Sequence, residues 1–417
     1  MAESLSADVI IAGAGMAGAT LALALKSGGL EPVLVDPLPF QTQTAASFDG
    51  RASAIAFSCF RQWRAVSAAG LIEPHAQRIE QIMVTDGRSP GAAPGLQLGA
   101  FLRFDSEEIA DRSHGEPLGY MVENRHIRAG LAQAVGAAGI TVLAPSRVER
   151  VEVGNGGATV VLDDGRTITA PLVVGSDGRA STVRGQAGIG VVGWPYRDSG
   201  VVATVSLERP HHGVAHEHFL PSGPFAILPL TEDRASLVWT EKADRGRALA
   251  DARPEVFHAH LQRRFGEFLG RVRADGPRFV YPLSLELAET MTAPRIALLG
   301  DAAHGIHPIA GQGLNLGLKD CAALAEVLVE AARLGEDIGS EVVLERYARW
   351  RRSDNVALAA ATDAFNRLFS NDIPLVRLAR GAGMALVNRI GPARRFFMQE
   401  AGGAVGDLPR LLRGEAL

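Results

Sequence analysis

The chain is poor in cysteine, with two in 417 residues, Cys59 and Cys321. Neither lies in a metal-type spacing, and both read as core residues in a reducing cytoplasm. Charge imbalance is also lacking. The formal net charge is −4, which gives no global case for binding nucleic acid. No window of about 20 residues is free of charge, so no membrane-spanning helix is expected. The start runs from acidic Glu3 straight towards a strand at Asp8, without the basic region of a cleavable signal.

Apolar residues make up 47% of the chain, and there are 47 glycines, many of them where strands would turn. That length and core suit two or more domains, or one large α/β unit with an insertion.

The segment Gly300 to Asn315 reads GDAAHGIHPIAGQGLN. It follows the apolar run Arg295 to Leu299 and precedes a helical pattern from Leu314 to Leu334. Gly300 lets the backbone turn, and Asp301 sets a carboxylate where it could hold a sugar-like hydroxyl. Gly311, Gln312 and Gly313 would present N–H groups at a helix start, whose partial positive charge suits an anion or a ring that becomes anionic. The plainer reading is a strand-loop-helix joint that needs glycine for sharp turns.

Near the start, Ala7 to Ala12 is a strand, and Gly13-Ala14-Gly15-Met16-Ala17-Gly18 follows at once. Ala19 to Leu25 continues as a helix, and the strand Pro32 to Val35 ends in Asp36. GxGxxG alone is weak evidence. Strand before, helix after and an acid at the right distance make it the fingerprint of a bound adenine dinucleotide. An acid at position 36 disfavours a 2′-phosphate and leaves FAD or NAD.

Asp49-Gly50-Arg51 follows a polar loop. Arg51 could reach a cofactor phosphate or flavin edge, or be a surface arginine. Ala52 to Phe60 is expected to open a helix. Thr85 to Leu98 reads as a turn-rich insertion. Tyr120 to Leu131 gives a short strand, then Asn124 and Arg125, then a helix. Thr141 to Val153 and Thr159 to Leu162 read as hairpin strands with the Asp163-Asp164-Gly165 turn. The strand Leu172 to Val174 ends in Gly175-Ser176-Asp177-Gly178-Arg179. Asp177 either anchors a cofactor loop or caps the next helix, and the cap is the better reading for Asp177 taken alone.

Short strands at Val201–Leu207, Ala215–Leu220, Phe225–Leu230 and Ala235–Thr240 suggest an inserted antiparallel sheet, one face of which could roof a flavin. His211, His212, His216 and His218 carry no acid or cysteine at ligand spacing, so no metal site is expected. Pro254 to Phe268 is an amphipathic helix, and Glu341 to Arg367 a longer one. From Ile373 to Gln399, Arg377, Arg380, Arg389, Arg394 and Arg395 alternate with apolar residues and no acid occurs before Glu400. That pattern suits an anionic membrane surface or another protein; an ordinary docking helix with a basic outer face is the alternative.

Three segments together, GAGMAG at Gly13, GSDGRASTVR at Gly175 and GDAAHGIHPIAGQGLN at Gly300, resemble the single-component FAD-dependent aromatic hydroxylases of the p-hydroxybenzoate hydroxylase fold. The likeness covers most of the chain and is nearest to the ubiquinone-biosynthesis hydroxylases. Ala215 to Phe219, Gly223-Pro224 with Ala226 to Leu230, and the ending around Ala404 to Pro409 and Arg413-Gly414 resemble theirs. His216 and His218 stand where that family carries aromatic or basic residues.

The resemblance implies an α/β fold: a Rossmann-like FAD-binding domain (1–75, 105–185 and 281–370), an inserted antiparallel β-sheet substrate domain (76–104 and 186–280) and a helical C-terminus (371–417). It implies that Gly13 to Gly18 and Asp36 hold the ADP half of FAD. Arg51 with Asn124 or Arg125 would contact its middle, and Asp301 the ribityl chain. Gly300, Pro308 and Gly311, Gln312, Gly313, Leu314 and Asn315 would surround the isoalloxazine. Asp177 would belong to the motif shared between FAD and nicotinamide handling. The implied reaction is hydroxylation of a prenylated phenol by O2, with NAD(P)H as electron donor and no second nucleotide fold for it. The implied location is cytoplasmic, peripheral to the inner membrane, alone or in a biosynthetic complex. No acid–base side chain is assigned. Flavin halogenases of similar fold carry W-x-W, which the four tryptophans here (Trp63, Trp194, Trp239, Trp350) do not form. An isoprenoid reductase would consume no oxygen, and a non-catalytic FAD-bound scaffold would show no flavin-linked turnover.

Overall fold

A computed structural model describes residues 4–45, 47–86, 101–108, 115–220, 222–306, 312–352, 354–355, 390, 398, 402–403 and 405–417. Its organising element is a six-stranded sheet in the order Thr292–Ala293, Ile296–Leu298, Leu172–Gly175, Val9–Ala12, Pro32–Val35, Thr141–Leu143. All of these pairings are parallel except the first. The central strands are buried throughout. They are therefore unbroken apolar runs, as expected where both faces of a parallel sheet are covered.

Alternate residues feed two cores. Val9, Ile11, Leu34, Leu172 and Val174 pack with the helices Met16–Ser27 and Gln312–Arg333. Ile10, Ala12, Val33, Val35 and Val173 pack on a four-stranded sheet, Ser4–Ser6, Thr167–Ala170, Gly157–Leu162 and Val148–Gly154.

The second large element is an eight-stranded sheet in the order His304–Gly305, Val272–Ala288, Val191–Leu207, Arg234–Lys242, Gly223–Leu230, Val214–Leu220, Gln81–Asp86, Phe101–Asp105. One face holds Phe225, Ile227, Leu237 and Trp239, against Leu249 of the helix Ala243–Asp251 and Phe257, Leu261 and Phe265 of Pro254–Phe265. The other face, through Ala215, Leu228 and Leu230, meets Ala52, Ala54, Met121 and Ile79. Those residues belong to a small sheet of Ala52–Ala56, Gly119–Glu123 and Gln77–Ile79.

Three expectations change. Ala52–Ala56 is a strand, paired with Gly119–Glu123, and the helix starts only at Phe57. Small alternating residues let that strand lie between two layers. Thr141–Leu143 joins the parallel sheet beside Pro32–Val35; the hairpin is Val148–Gly154 with Gly157–Leu162, and Asp163 to Gly165 leads on to Thr167–Ala170. The helix from Pro254 stops at Phe265, because Gly266 takes φ +79°. Of the turn-rich segment, residues 87–100 lie outside the described residues. The strands on either side of it pair with each other. Glu341 to Arg352 is helical, and the remainder of that expected helix lies mostly outside the described residues. So do Arg377, Arg380, Arg389, Arg394 and Arg395. Met398, nearby, is buried against Ala215 and Met121. The chain closes with a short helix, Arg410–Arg413.

Candidate active site

The parallel strands end together. Ala12 leads into the Gly13 loop, Val35 into Asp36, Gly175 into Asp177, and Leu298 into the Gly300 turn. This is the edge at which open α/β sheets bind ligands. Gly13 has φ +101°, and a Cβ there would lie 2.3 Å from the Ser176 carbonyl oxygen. A Cβ on Gly18 would lie 2.0 Å from the Gly13 oxygen. These two glycines are needed by the fold itself. Gly15 differs: a Cβ there would meet nothing within 4 Å, and the helix Met16–Ser27 begins beside it without a side-chain cap. An open side above uncapped N–H groups is the shape a pyrophosphate requires, so the site fits the dinucleotide. Ala14 is buried, while Met16 and Ala17 remain partly open.

Asp36 is buried. It accepts from the Ala14 N–H at 2.7 Å and the Leu38 N–H at 2.8 Å. Burial raises its pKa against the pull of those hydrogen bonds. Its carboxylate thus fixes the glycine loop in this structure.

Beside the loop, Asp49 is the centre of a polar cluster. Arg51 donates to both of its oxygens (2.9 and 3.0 Å), Asn124 to one (3.0 Å), Arg128 to one (2.8 Å) and the Tyr281 hydroxyl to one (3.3 Å). Burial alone would raise the Asp49 pKa, but Arg51, Asn124 and Arg128 hold it well below the usual carboxylate range. The Arg51 guanidinium also lies 4.8 Å over the Tyr281 ring. About half of its side chain stays exposed, 48%, so it can still meet a ligand. Asn124 also accepts from Ser53 at 2.7 Å. Arg125 instead pairs with Glu123 at 3.2 Å, which Arg234 shares at the same distance.

Asp177 accepts from the Ser181 hydroxyl and from the Thr182 and Val183 N–H groups, at 2.5, 2.7 and 3.2 Å. It is a helix cap. The motif's arginines reach across instead. Arg184 donates to the Ala302 carbonyl at 2.8 Å, and Arg179 to Ser284 at 2.5 Å and the Ile306 carbonyl at 3.3 Å. The two loops are thereby tied together. Asp301 is left half exposed, 51%, with Arg179 at 3.6 Å. It remains free to accept from a hydroxyl chain.

Under the Gly300 turn lies a fully buried network. Asp320 meets His304 Nε2 at 2.5 Å, accepts from Arg351 at 2.9 Å and from the Gly300 N–H at 3.2 Å. Burial would raise its pKa, but His304 and Arg351 hold it below the ordinary value. His304 Nδ1 is buried without a partner.

Asn315 is buried and clamped to the strand Ala52–Ala56, donating to the Ala54 carbonyl (2.8 Å) and accepting from the Ala56 N–H (2.9 Å). Of the expected ring contacts, Pro308 and Gly311 lie outside the described residues. Gln312 opens the helix Gln312–Arg333, with Gly313 and Leu314 partly open behind it. A Cβ on Gly317 would come within 3.1 Å of Gly300 Cα, so that helix sits directly on the turn.

Asp36, Asp177, Asp301 and the Gly13–Gly18 loop thus converge on one sheet edge, with Arg51 and Asn124 joined through Asp49. Arg125 does not join that cluster. Sequence reading passed over Asp49 as a hub, Arg128, Tyr281, Arg179, Arg184 and the His304–Asp320–Arg351 network. Arg179 and Arg184 had a signal, since both lie inside GSDGRASTVR. Asp320 and Arg351 had none, because they meet His304 only in the fold. Among the described residues no cluster of ligating side chains could hold a metal. His211 lies against the Leu230 carbonyl at 2.8 Å and accepts from Gly213 at 3.0 Å.

The architecture is that of the FAD-dependent aromatic monooxygenases. p-Nitrophenol 4-monooxygenase from Pseudomonas putida superposes with a TM-score of 0.78 at 19% identity, covering 95% of this chain and 98% of that one. PqsL of Pseudomonas aeruginosa, in complex with 2-aminobenzoylacetate, gives 0.74 at 24% identity, covering 91% and 99%. The family described as FAD binding domain matches residues 6–361. Ubiquinone hydroxylase UbiL of Rhodospirillum rubrum is 46% identical over 415 residues, 99% of this chain and 94% of that protein. 3-Demethoxyubiquinol 3-hydroxylase of Escherichia coli is 34% identical over 404 residues, 94% and 98% of the two chains. The chain belongs to this family of FAD-dependent ubiquinone-biosynthesis hydroxylases.

Proposed function

We propose that the protein hydroxylates the aromatic ring of a polyprenylated phenol on the way to ubiquinone, with O2 as oxidant and NAD(P)H as electron donor. The observation that carries this reading is the convergence of the Gly13, Gly175 and Gly300 loops at one sheet edge, beside the apolar inner face of the eight-stranded sheet. The names of the full-length relatives support the pathway.

In this reading Gly13, Gly15 and Gly18 give the pyrophosphate its room, and Asp36 sits at the ribose end. Arg51 and Asn124 flank the cofactor's middle, with Arg125 nearby. Asp177 and its arginines brace the loop on which Asp301 holds the ribityl chain. Gly300, Pro308 and Gly311 to Asn315 surround the ring. FAD, when bound, supplies hydride acceptance and oxygen activation. The chain's own part is to orient the ring, favour negative charge with the helix start at Gln312, and exclude water. A second GxGxxG, Gly188 to Gly193, runs into the strand Val191–Leu207 and not into a helix, so it lacks the strand-turn-helix context of a dinucleotide site and NAD(P)H would act without a nucleotide fold of its own.

Among the described residues no helix is long and apolar enough to cross a membrane. The prenylated substrate lives in the bilayer, and the basic, apolar stretch from Ile373 is suited to reach it from the cytoplasmic face, alone or within a biosynthetic complex. Deleting residues 373–417 is expected to shift the protein from membrane to soluble fractions; unchanged fractionation contradicts that role.

Mass spectrometry of lipids from a strain lacking the gene tests the main reading. Ubiquinone should disappear and a prenylated phenol missing one hydroxyl should accumulate. The mass of that intermediate names the step. An unchanged quinone pool removes the substrate assignment.

A further inference from the structure

The strand Val214–Leu220 presents different chemistry on its two faces. His216 and His218 look towards the helical side. Their rings lie 5.9 Å apart, and both contact Phe268, at 4.8 and 6.2 Å. Alternation turns Ala215, Glu217 and Phe219 the other way. Ala215 indeed packs with Met121, and with Ala52 and Ala54 beside it. In register, Glu217 lies between Val84 and Ala226. The same row continues through Val238 and Val202 to Phe279, whose ring lies against Gly50. Tyr281, two residues on, reaches Asp49. Glu217 therefore stands on the face turned to the flavin-binding half, with Val84, Ala226 and Leu228 around it. It is partly buried, and no hydrogen bond or ion pair among the described residues engages its carboxyl.

We propose that Glu217 receives the hydroxyl group of the phenol substrate and takes its proton during hydroxylation, while the apolar row beside it carries the start of the prenyl chain. This rests on the reading of the substrate as a prenylated phenol. The phenol O–H bond breaks and its proton moves to the Glu217 carboxylate. The released electron pair enters the ring, and a conjugated ring carbon forms a bond to one oxygen atom derived from O2. That carbon then loses its own proton, which balances the hydrogen of the new hydroxyl, as aromaticity returns, and Glu217 hands its proton back to the phenolate oxygen. The second oxygen atom leaves as water, formed with the hydride of NAD(P)H (two electrons and one proton) and one further proton.

The electrostatics fit. A phenol such as tyrosine ionises near pH 10, and an ordinary glutamate near 4.3, which is a poor match for proton transfer. Burial pushes Glu217 up to about 8. Among the described residues, none adds charge to that shift. Val84 and Ala226 flank it. Thr85 is turned to His218, with its hydroxyl 2.6 Å from Nδ1. Arg103 pairs with Asp105 and Glu123 with Arg234. The nearest acidic position on the neighbouring strand, Asp86, is opposite Phe219.

The test uses the FAD-loaded full chain with a short-chain prenylphenol, comparing wild type with Glu217→Gln and Glu217→Asp. Product formed per NAD(P)H consumed and the pH dependence of kcat are measured, with thermal melting and FAD affinity alongside. Wild-type turnover should rise through about pH 8. Glu217→Gln should bind FAD normally, lose that rise, and form product about a hundredfold more slowly while still oxidising NAD(P)H. Glu217→Asp, one methylene shorter, should keep the rise with a lower product yield, and it carries the test if the glutamine variant fails to fold. A variant with wild-type coupling and an unmoved pH profile overturns the role of Glu217 alone. A wild type inert to every prenylphenol overturns the substrate reading and this inference with it.

Discussion

His304 and Asp320 meet at 2.5 Å beneath the Gly300 turn, both closed to solvent. Asp320 spends its second oxygen on Arg351. A carboxylate from the long helix thus balances a buried guanidinium and also accepts the Gly300 N–H, which ties the cofactor turn to the core. Asp320→Ala would leave the buried Arg351 with Asp354, at 2.7 Å, as its remaining charged partner and would take the carboxylate from His304 and the Gly300 N–H; removing one partner of a buried pair costs up to about 3–5 kcal/mol. The variant should melt several degrees lower and retain less FAD; an unchanged melting curve contradicts this. Since the Asp320 pKa is lowered in the folded state, its contribution is present above the unfolded value of about 4. It is lost as pH falls through the folded value. Wild type should therefore lose stability in acid more steeply than Asp320→Asn, as followed by circular dichroism against pH.

Two glycines of one motif should fail differently. Gly13→Ala sets a Cβ against the Ser176 carbonyl in a left-handed conformation. It should lower the melting temperature of the FAD-free protein. Gly15→Val points into open space, so the FAD-free fold should be preserved while FAD affinity falls at least tenfold. Calorimetric melting with and without FAD separates the two. Equal destabilisation by both would contradict the assignment.

Asp49 is held ionised by Arg51, Asn124 and Arg128 against its own burial. Asp49→Ala leaves Arg128 buried without its carboxylate, and should lower the melting temperature as well as the FAD affinity. Titration of FAD fluorescence checks the second effect. Because the folded pKa lies below the unfolded one, the cluster's support persists above about pH 4 and fades below it.

Asp301 contributes little to the fold, being half exposed with Arg179 at 3.6 Å. Asp301→Ala should therefore melt normally without FAD and lose FAD or activity. A fully active variant would count heavily against the site.

The parts of this architecture carried by local pattern were legible in the sequence. The Gly13 loop, the strand before Asp36 and the helix after Gln312 depend on neighbours in the chain, where period and glycine placement speak directly. Asp177 was readable as a cap because Ser181 and Thr182 follow it closely. Asp49 was not readable as a hub. Its partners Asn124, Arg128 and Tyr281 arrive from distant strands and helices. Ala52–Ala56 looked helical because small residues fit either period, and its pairing with Gly119–Glu123 decided the matter. Asn315 belonged to a recognisable motif, yet its side chain is spent on that same strand.

The most direct measurement is oxygen incorporation by the purified, FAD-loaded protein. It would be supplied with a prenylated phenol, NAD(P)H and ¹⁸O-labelled O2, and the product analysed by mass spectrometry. The account expects one labelled oxygen atom in the aromatic ring, matched to NAD(P)H consumed. Reduced substrate with no oxygen uptake, or a hydroxyl without label, would contradict it.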